Sequence, residues 1–172
     1  MKQILFFFLI FLSNVLIAQN LSMSQLLEVK KKDLGNAEEY LTAKGWEFLD
    51  AEEPKNDKLG KATFTYNKSD MSSRAESFLT FLYSNYSDKT RISIQVNKKE
   101  KYNEYLAAIK AYGCKLLNSK VEDGSIVKIY RGATTTFEIS ASTSTNFYNE
   151  ETAIWHIFIV SNDDYDLNWG QY

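Results

Sequence analysis

Apolar positions along the chain follow two rhythms, one helical and one of period two. Ser22 with Gln25 three residues later forms a capping-box pattern ahead of Leu26, Leu27 and Val29. Asn36 with Glu39 repeats the pattern ahead of Tyr40 and Leu41, and Gly45 stands where that helix stops. Strand signals follow. Trp46-Glu47-Phe48 alternates, Pro54-Lys55-Asn56-Asp57 is a turn cluster, and Thr63-Phe64-Thr65-Tyr66 alternates again. Ser77 to Tyr83 is apolar on both sides and reads as a central strand, whereas Arg91 to Val96 has one wet side. A third capping box, Asn97 with Glu100, opens a helix carrying Tyr102, Tyr105, Leu106, Ile109 and Tyr112, and Gly113 ends it. Cys114-Lys115-Leu116 alternates, Asp123-Gly124 is a hairpin signal, and Ile126–Tyr130, Thr136–Ala141 and Ala153–Val160 supply three more strands. Between the last two, Ser140 to Thr145 reads as a long exposed loop leading to Phe147 and Tyr148.

The order is thus helices, four strands, a helix, four strands. Glu39-Tyr40-Leu41 aligns with Glu104-Tyr105-Leu106, Gly45-Trp46 with Gly113-Cys114, and Gly60…Tyr66 with Gly124…Tyr130. These matches predict an α+β fold built as a tandem αβ4-type repeat, an antiparallel sheet with helices on one face. Hairpin-length loops cannot make parallel crossovers. The expected layout is a signal peptide at 1–18, a first half at 19–97 and a second at 98–172, forming one globular unit.

In element order the chain resembles the tandem helix-plus-four-strand modules of secreted β-lactamase-inhibitor proteins. That resemblance is topological, covers most of the mature chain and transfers no residues, because the family's intradomain disulfides need more cysteines than Cys114. Lys101-Tyr102-Asn103-Glu104-Tyr105-Leu106 through Lys128-Ile129-Tyr130-Arg131-Gly132 is similar to exported bacterial proteins of uncharacterised activity, and implies none.

The first residues change the picture of where the chain works. Lys2 precedes an apolar run from Ile4 to Leu12, Ser13-Asn14 interrupts it, Val15-Leu16-Ile17 extends it, and Ala18 offers a small residue before Gln19. A membrane span needs roughly 20 apolar residues, so this is read as a cleaved secretory signal. Ile17-Ala18-Gln19 resembles signal peptides of Bacteroidota-type bacteria. No cysteine stands nearby for a lipoprotein anchor, which predicts a secreted or periplasmic protein without a stable membrane span. Cleavage leaves 154 residues (172 − 18) that must be stabilised by a core rather than by crosslinks, since a lone cysteine makes no internal disulfide.

Composition narrows the chemistry. With 20 Lys+Arg against 22 Asp+Glu the chain lacks the concentrated positive charge of a nucleic-acid binder. Aromatics at 15% exclude a disordered chain, and a single Pro excludes Pro-rich architectures. His156 sits within a strand, where a satisfied sheet residue competes with a ligand- or pH-sensing role. Cys114 is read as core, so no Cys–His dyad is supported. No metal or cofactor is expected: a structural zinc site needs four ligands, and Asp164 to Gly170 lacks the sixth-position Gly and twelfth-position acid of a calcium loop. That tail is read as solvated, as are Lys30-Lys31-Lys32 and Lys98-Lys99. Glu38-Glu39, Glu52-Glu53, Glu150-Glu151 and Asp163-Asp164 are sequence neighbours and point apart, so hydrolysis would require acids gathered from distant positions.

The remaining signal is aromatic. If helices cover one side of the sheet, the other side should present Arg91, Ser93, Gln95, Lys128 and Glu138 with aromatics among them. Tyr66, Tyr83, Tyr130, Tyr148 and His156 are the candidate binding residues of an open face recognising a protein or ligand, an inhibitor- or immunity-like role, against the competing reading that tyrosine is common in half-buried sheets because it fits them. A small exported hydrolase using clustered carboxylates is the alternative.

Overall fold

A computed structural model describes residues 20–55, 58–69, 75–145 and 151–168. The signal peptide expected at 1–18, Asn56-Asp57 of the first turn, and the contact candidates Phe147 and Tyr148 lie outside the described residues. Helices α1 (Met23–Val29) and α2 (Leu34–Thr42) precede strands β1 (Trp46–Glu52), β2 (Gly60–Tyr66), β3 (Ser77–Tyr83) and β4 (Arg91–Val96). Helix α3 (Lys99–Ala111) then leads into β5 (Lys115–Glu122), β6 (Ser125–Arg131), β7 (Thr135–Thr145), β8 (Glu151–Ser161) and a final helix α4 (Asn162–Asn168). The strands form one eight-stranded sheet ordered β1-β2-β3-β4-β8-β7-β6-β5, antiparallel throughout. The class is α+β, with α1, α2 and α3 packed on one face. No helix among the described residues is long and apolar enough to cross a membrane.

Two four-strand meanders therefore meet last strand to last strand. Ile92 lies opposite Ile159 and Ile94 opposite Ile157, so exchanging the halves carries one pair onto the other. Each outer strand is irregular at a corresponding place, between Phe48 and Asp50 on β1 and between Leu116 and Asn118 on β5. Ala37 and Leu41 are buried in α2 as Tyr105 and Ile109 are in α3, each the same distance from the glycine that follows. By that correspondence Ala37 matches Tyr105. The Tyr40–Tyr105 alignment is nearly one helical turn out of step, and Tyr40 itself is half-exposed and bonded to Glu28.

Local chemistry explains where the elements start. Ser22 forms the expected capping box, its N–H donating to Gln25 Oε1 at 2.8 Å and its Oγ accepting from Gln25 N at 3.3 Å. The second helix starts earlier than expected, because Asp33 is its N-cap and accepts from Asn36 N at 2.8 Å. Asn97 does not cap α3. Its amide donates to Ala75 O at 3.1 Å and its Oδ1 accepts from Gln95 Nε2 at 3.2 Å, so the sheet has claimed it and Lys98 opens the helix without a side-chain cap. Asp123 and Gly124 join β5 to β6 with φ of 48° and 74°, the left-handed pair that matches the twist of a two-residue hairpin.

Between helices and sheet lies the main core. Phe64, Leu79, Phe81, Ile92, Ile94, Phe137, Ile139, Ile157 and Ile159 come from the strands, with Leu26, Val29, Ala37, Leu41, Tyr105 and Ile109 from the helices. Burying each large apolar side chain contributes about 1.5–3 kcal/mol. Tyr105 donates its hydroxyl to Leu21 O at 2.6 Å, so its polar tip is satisfied inside the core. Cys114 is half-buried against this cluster, its thiol pushed up by burial, as a core thiol rather than a reactive one would be.

Two segments differ from the sequence reading. Ser140 to Thr145 is not a loop: β7 continues to Thr145, paired residue by residue with β8 as far as Glu151. Serine and threonine fit a ladder whose partner strand is already in place. The acidic tail is only partly solvated: Asp163 and Asp166 stay exposed, but the segment is not irregular. It folds into α4, where Asp164 is 1% exposed and Tyr165 6% exposed. Helix α4 lies across the face opposite α1–α3, with Tyr165 packed against Ile129, Val160 and Phe158.

Candidate functional site

Strand alternation sorts every sheet residue onto one of two faces, and the Ile92–Ile159 and Ile94–Ile157 pairs mark the helix side. Following the register outward places Tyr66 and Tyr130 on that same side, 7% and 6% exposed in the core. Both were expected on the open face, and both are corrected to structural roles. Tyr66 packs against Trp46 at 5.4 Å between ring centroids. Lys128 likewise lies opposite Ile139 on the helix side. Tyr83 also points to the helix side, where it lines a cleft of about 730 Å³ with Phe81, Lys30 to Leu34 and the 84–90 loop. The lysine run is less solvated than its charge suggested: burial holds Lys30 below the usual lysine range.

His156 is the candidate that does belong to the face opposite α1–α3, which among the described residues is bare except where α4 crosses it. In register across adjacent strands stand Phe78, Gln95, His156, Ser140 and Val127. A neighbouring row runs Thr80, Ser93, Phe158, Glu138 and Ile129. Arg91, Ser93, Gln95 and Glu138 thus fall on the expected side. Its aromatics are Phe78 and Phe158 rather than tyrosines, and Phe78, Gln95, His156, Glu138 and Phe158 are all intermediate in exposure. A phenylalanine half-open on a sheet, with an amide and an imidazole beside it, offers apolar area together with hydrogen-bonding capacity.

Burial also tunes the charges. Desolvation lowers the pKa of His156, keeping the imidazole neutral near pH 7 so that one ring nitrogen donates and the other accepts. Glu138, between Ile129 and Phe158, is raised above the usual carboxylate range chiefly by burial, with Glu122 adding to the shift and Lys120 opposing it.

One end of the face is closed by α4. Arg91 Nε donates to Asp164 Oδ2 at 2.7 Å and Nη2 to Oδ1 at 3.0 Å, while Asn168 Nδ2 donates to Oδ1 at 2.8 Å. Arg131 grips Asp166 through two more hydrogen bonds of 2.6 Å. Asp164 is therefore tied to a structural partner. Among the described residues no group of three or more His, Cys, Asp or Glu is placed to hold a metal. Sequence reasoning missed Phe78 and Phe158 because each stands in an apolar run with no outward sign of which face it takes.

A second cleft, between the end of α2 and the β1–β2 edge, is lined by Thr42 to Gly45, Glu47, Tyr66, Asn67 and Glu76. Neither cleft is lined by Phe78, Gln95, His156 or Phe158. Comparison with protein-family models, with curated proteins and with solved structures finds no match to this chain.

Proposed function

We propose that this protein is an exported, non-enzymatic recognition module that holds another protein against the bare face of its sheet. The observation that carries the reading is the row Phe78–Gln95–His156, three half-exposed side chains in register on adjacent strands, with α1–α3 all packed on the opposite side. Apolar rings around neutral hydrogen-bonding groups suit a protein surface better than a small polar solute, which needs enclosure. The Lys2 to Ala18 leader pattern supports action outside the cytoplasm.

The test is a photo-crosslinking amino acid placed at Gln95, on the face, and at the exposed Glu38, on α2. Irradiation of cells exporting the protein is expected to yield a discrete protein adduct from position 95 and none from position 38. Identical adducts from both positions, or none from position 95, would contradict the proposal. A glycan or peptide hydrolysis that Glu138→Gln abolishes would instead favour the acid-dependent hydrolase, since Glu138 is the carboxyl on this face whose pKa burial raises.

A further inference from the structure

We infer that two copies of this chain pair antiparallel through their β5 edges, about a two-fold axis at Ser119, merging two sheets into one. Strand β5 is an outer strand of the sheet, and Leu116, Leu117 and Val121 on it are 53%, 59% and 77% exposed, with Ile126 beside them at 52%. An edge strand with exposed apolar side chains, whose outer backbone groups pair with no other strand among the described residues, is a template for another strand.

The order of side chains selects the occupant. Leu116, Ser119 and Val121 share the helix face of β5, while Lys115, Asn118, Lys120 and Glu122 share the other, the irregularity at Leu117 setting this phase. In the two-fold register Lys115 stands opposite Glu122 of the second copy and Leu116 opposite its Val121. Asn118 stands opposite Lys120, and each Leu117 is the extra residue against a regular stretch of the partner. Every pair is then apolar with apolar, opposite in charge or polar with polar, on matching faces. The other edge also exposes apolar side chains, Phe48 at 57% and Leu49 at 41%, but Glu47, Asp50 and Glu52 occupy one face of β1, so pairing it with itself sets acid against acid. An axis normal to the sheet keeps the helices of both copies on one side, and the bare faces form a continuous surface on the other.

Sedimentation of the exported protein over a wide concentration range tests this. A monomer–dimer equilibrium is expected. Lys115→Glu and Glu122→Lys are each expected to weaken it by about tenfold or more, since symmetry repeats every like-charge pair. The double variant K115E/E122K should recover the dimer to within about threefold, a rescue that misfolding cannot imitate. A monomer at all concentrations would overturn the inference. So would species growing beyond two copies by joining β5 to β1, or a dimer indifferent to both single variants.

Discussion

Arg91 and Asp164, 73 positions apart, meet on the bare face of the sheet through two parallel hydrogen bonds of 2.7 and 3.0 Å. The carboxylate is 2% exposed and the guanidinium side chain 15% exposed, so the pair is withdrawn from water and holds α4 in place. Removing Arg91 takes the nearest cation from a buried carboxylate that Asn168 and, at 3.7 Å, Lys89 also meet. Arg91→Ala is expected to cost about 3–5 kcal/mol in urea unfolding, and hydrogen exchange should show α4 opening first. Replacing both residues with leucine should recover most of the loss; a double variant as weak as R91A would contradict this account of the pair.

The seam between the halves rests on Ile94 opposite Ile157, both 0% exposed. Each isoleucine-to-alanine change should cost about 2–5 kcal/mol. As direct neighbours they should be non-additive by about 0.5–3 kcal/mol. Strict additivity in the double-mutant cycle would mean that the two meanders are not packed as described.

At the β5–β6 turn, Gly124 holds φ at 74°. Gly124→Val places a β-branched side chain in the left-handed region, at a cost of about 1–2 kcal/mol. Chemical denaturation measures it, and an unchanged midpoint would show a different turn.

Two groups on the bare face give opposite pH trends. His156 is depressed by burial, so its contribution is complete above the unfolded value near 6.5 and is lost as pH falls through the folded value. Glu138 is raised by burial, so its contribution is present below the unfolded value near 4.5 and is lost as pH rises through the folded value. His156→Gln should therefore blunt the loss of stability between about pH 7 and pH 5. Glu138→Gln should raise the melting temperature at about pH 7, with the gain shrinking on acidification. A pH-independent shift from either variant would contradict the burial that causes these trends.

Among the described residues, the eight strands and three of the four helices were legible because their signals are local: alternation in Arg91–Val96, the Ser22 capping box, the Asp123-Gly124 turn. Faces were harder. In β2 and β6 apolar or small residues occur on both sides, so period two alone does not say whether Tyr130 or Ile129 meets the helices; the pairing through Phe137 and Ile159 decides it. The irregularities opposite Phe64 and Tyr130 change phase at leucines, with no glycine to announce them. Helix α4 was invisible because Asp163-Asp164 and Asp166 read locally as a solvated tail. Arg91 and Lys89 at Asp164, and Arg131 at Asp166, all brought near by the sheet, make two of those acids an anchor.

Hydroxyl-radical footprinting tests the uncovered face most directly, because it reads side-chain access without needing the partner. Phe78 and Phe158 should be oxidised while Trp46, Tyr66 and Tyr130 stay protected. Protection of Phe78 and Phe158 equal to that of Tyr130 would mean the surface is already covered, leaving nowhere for a partner to dock.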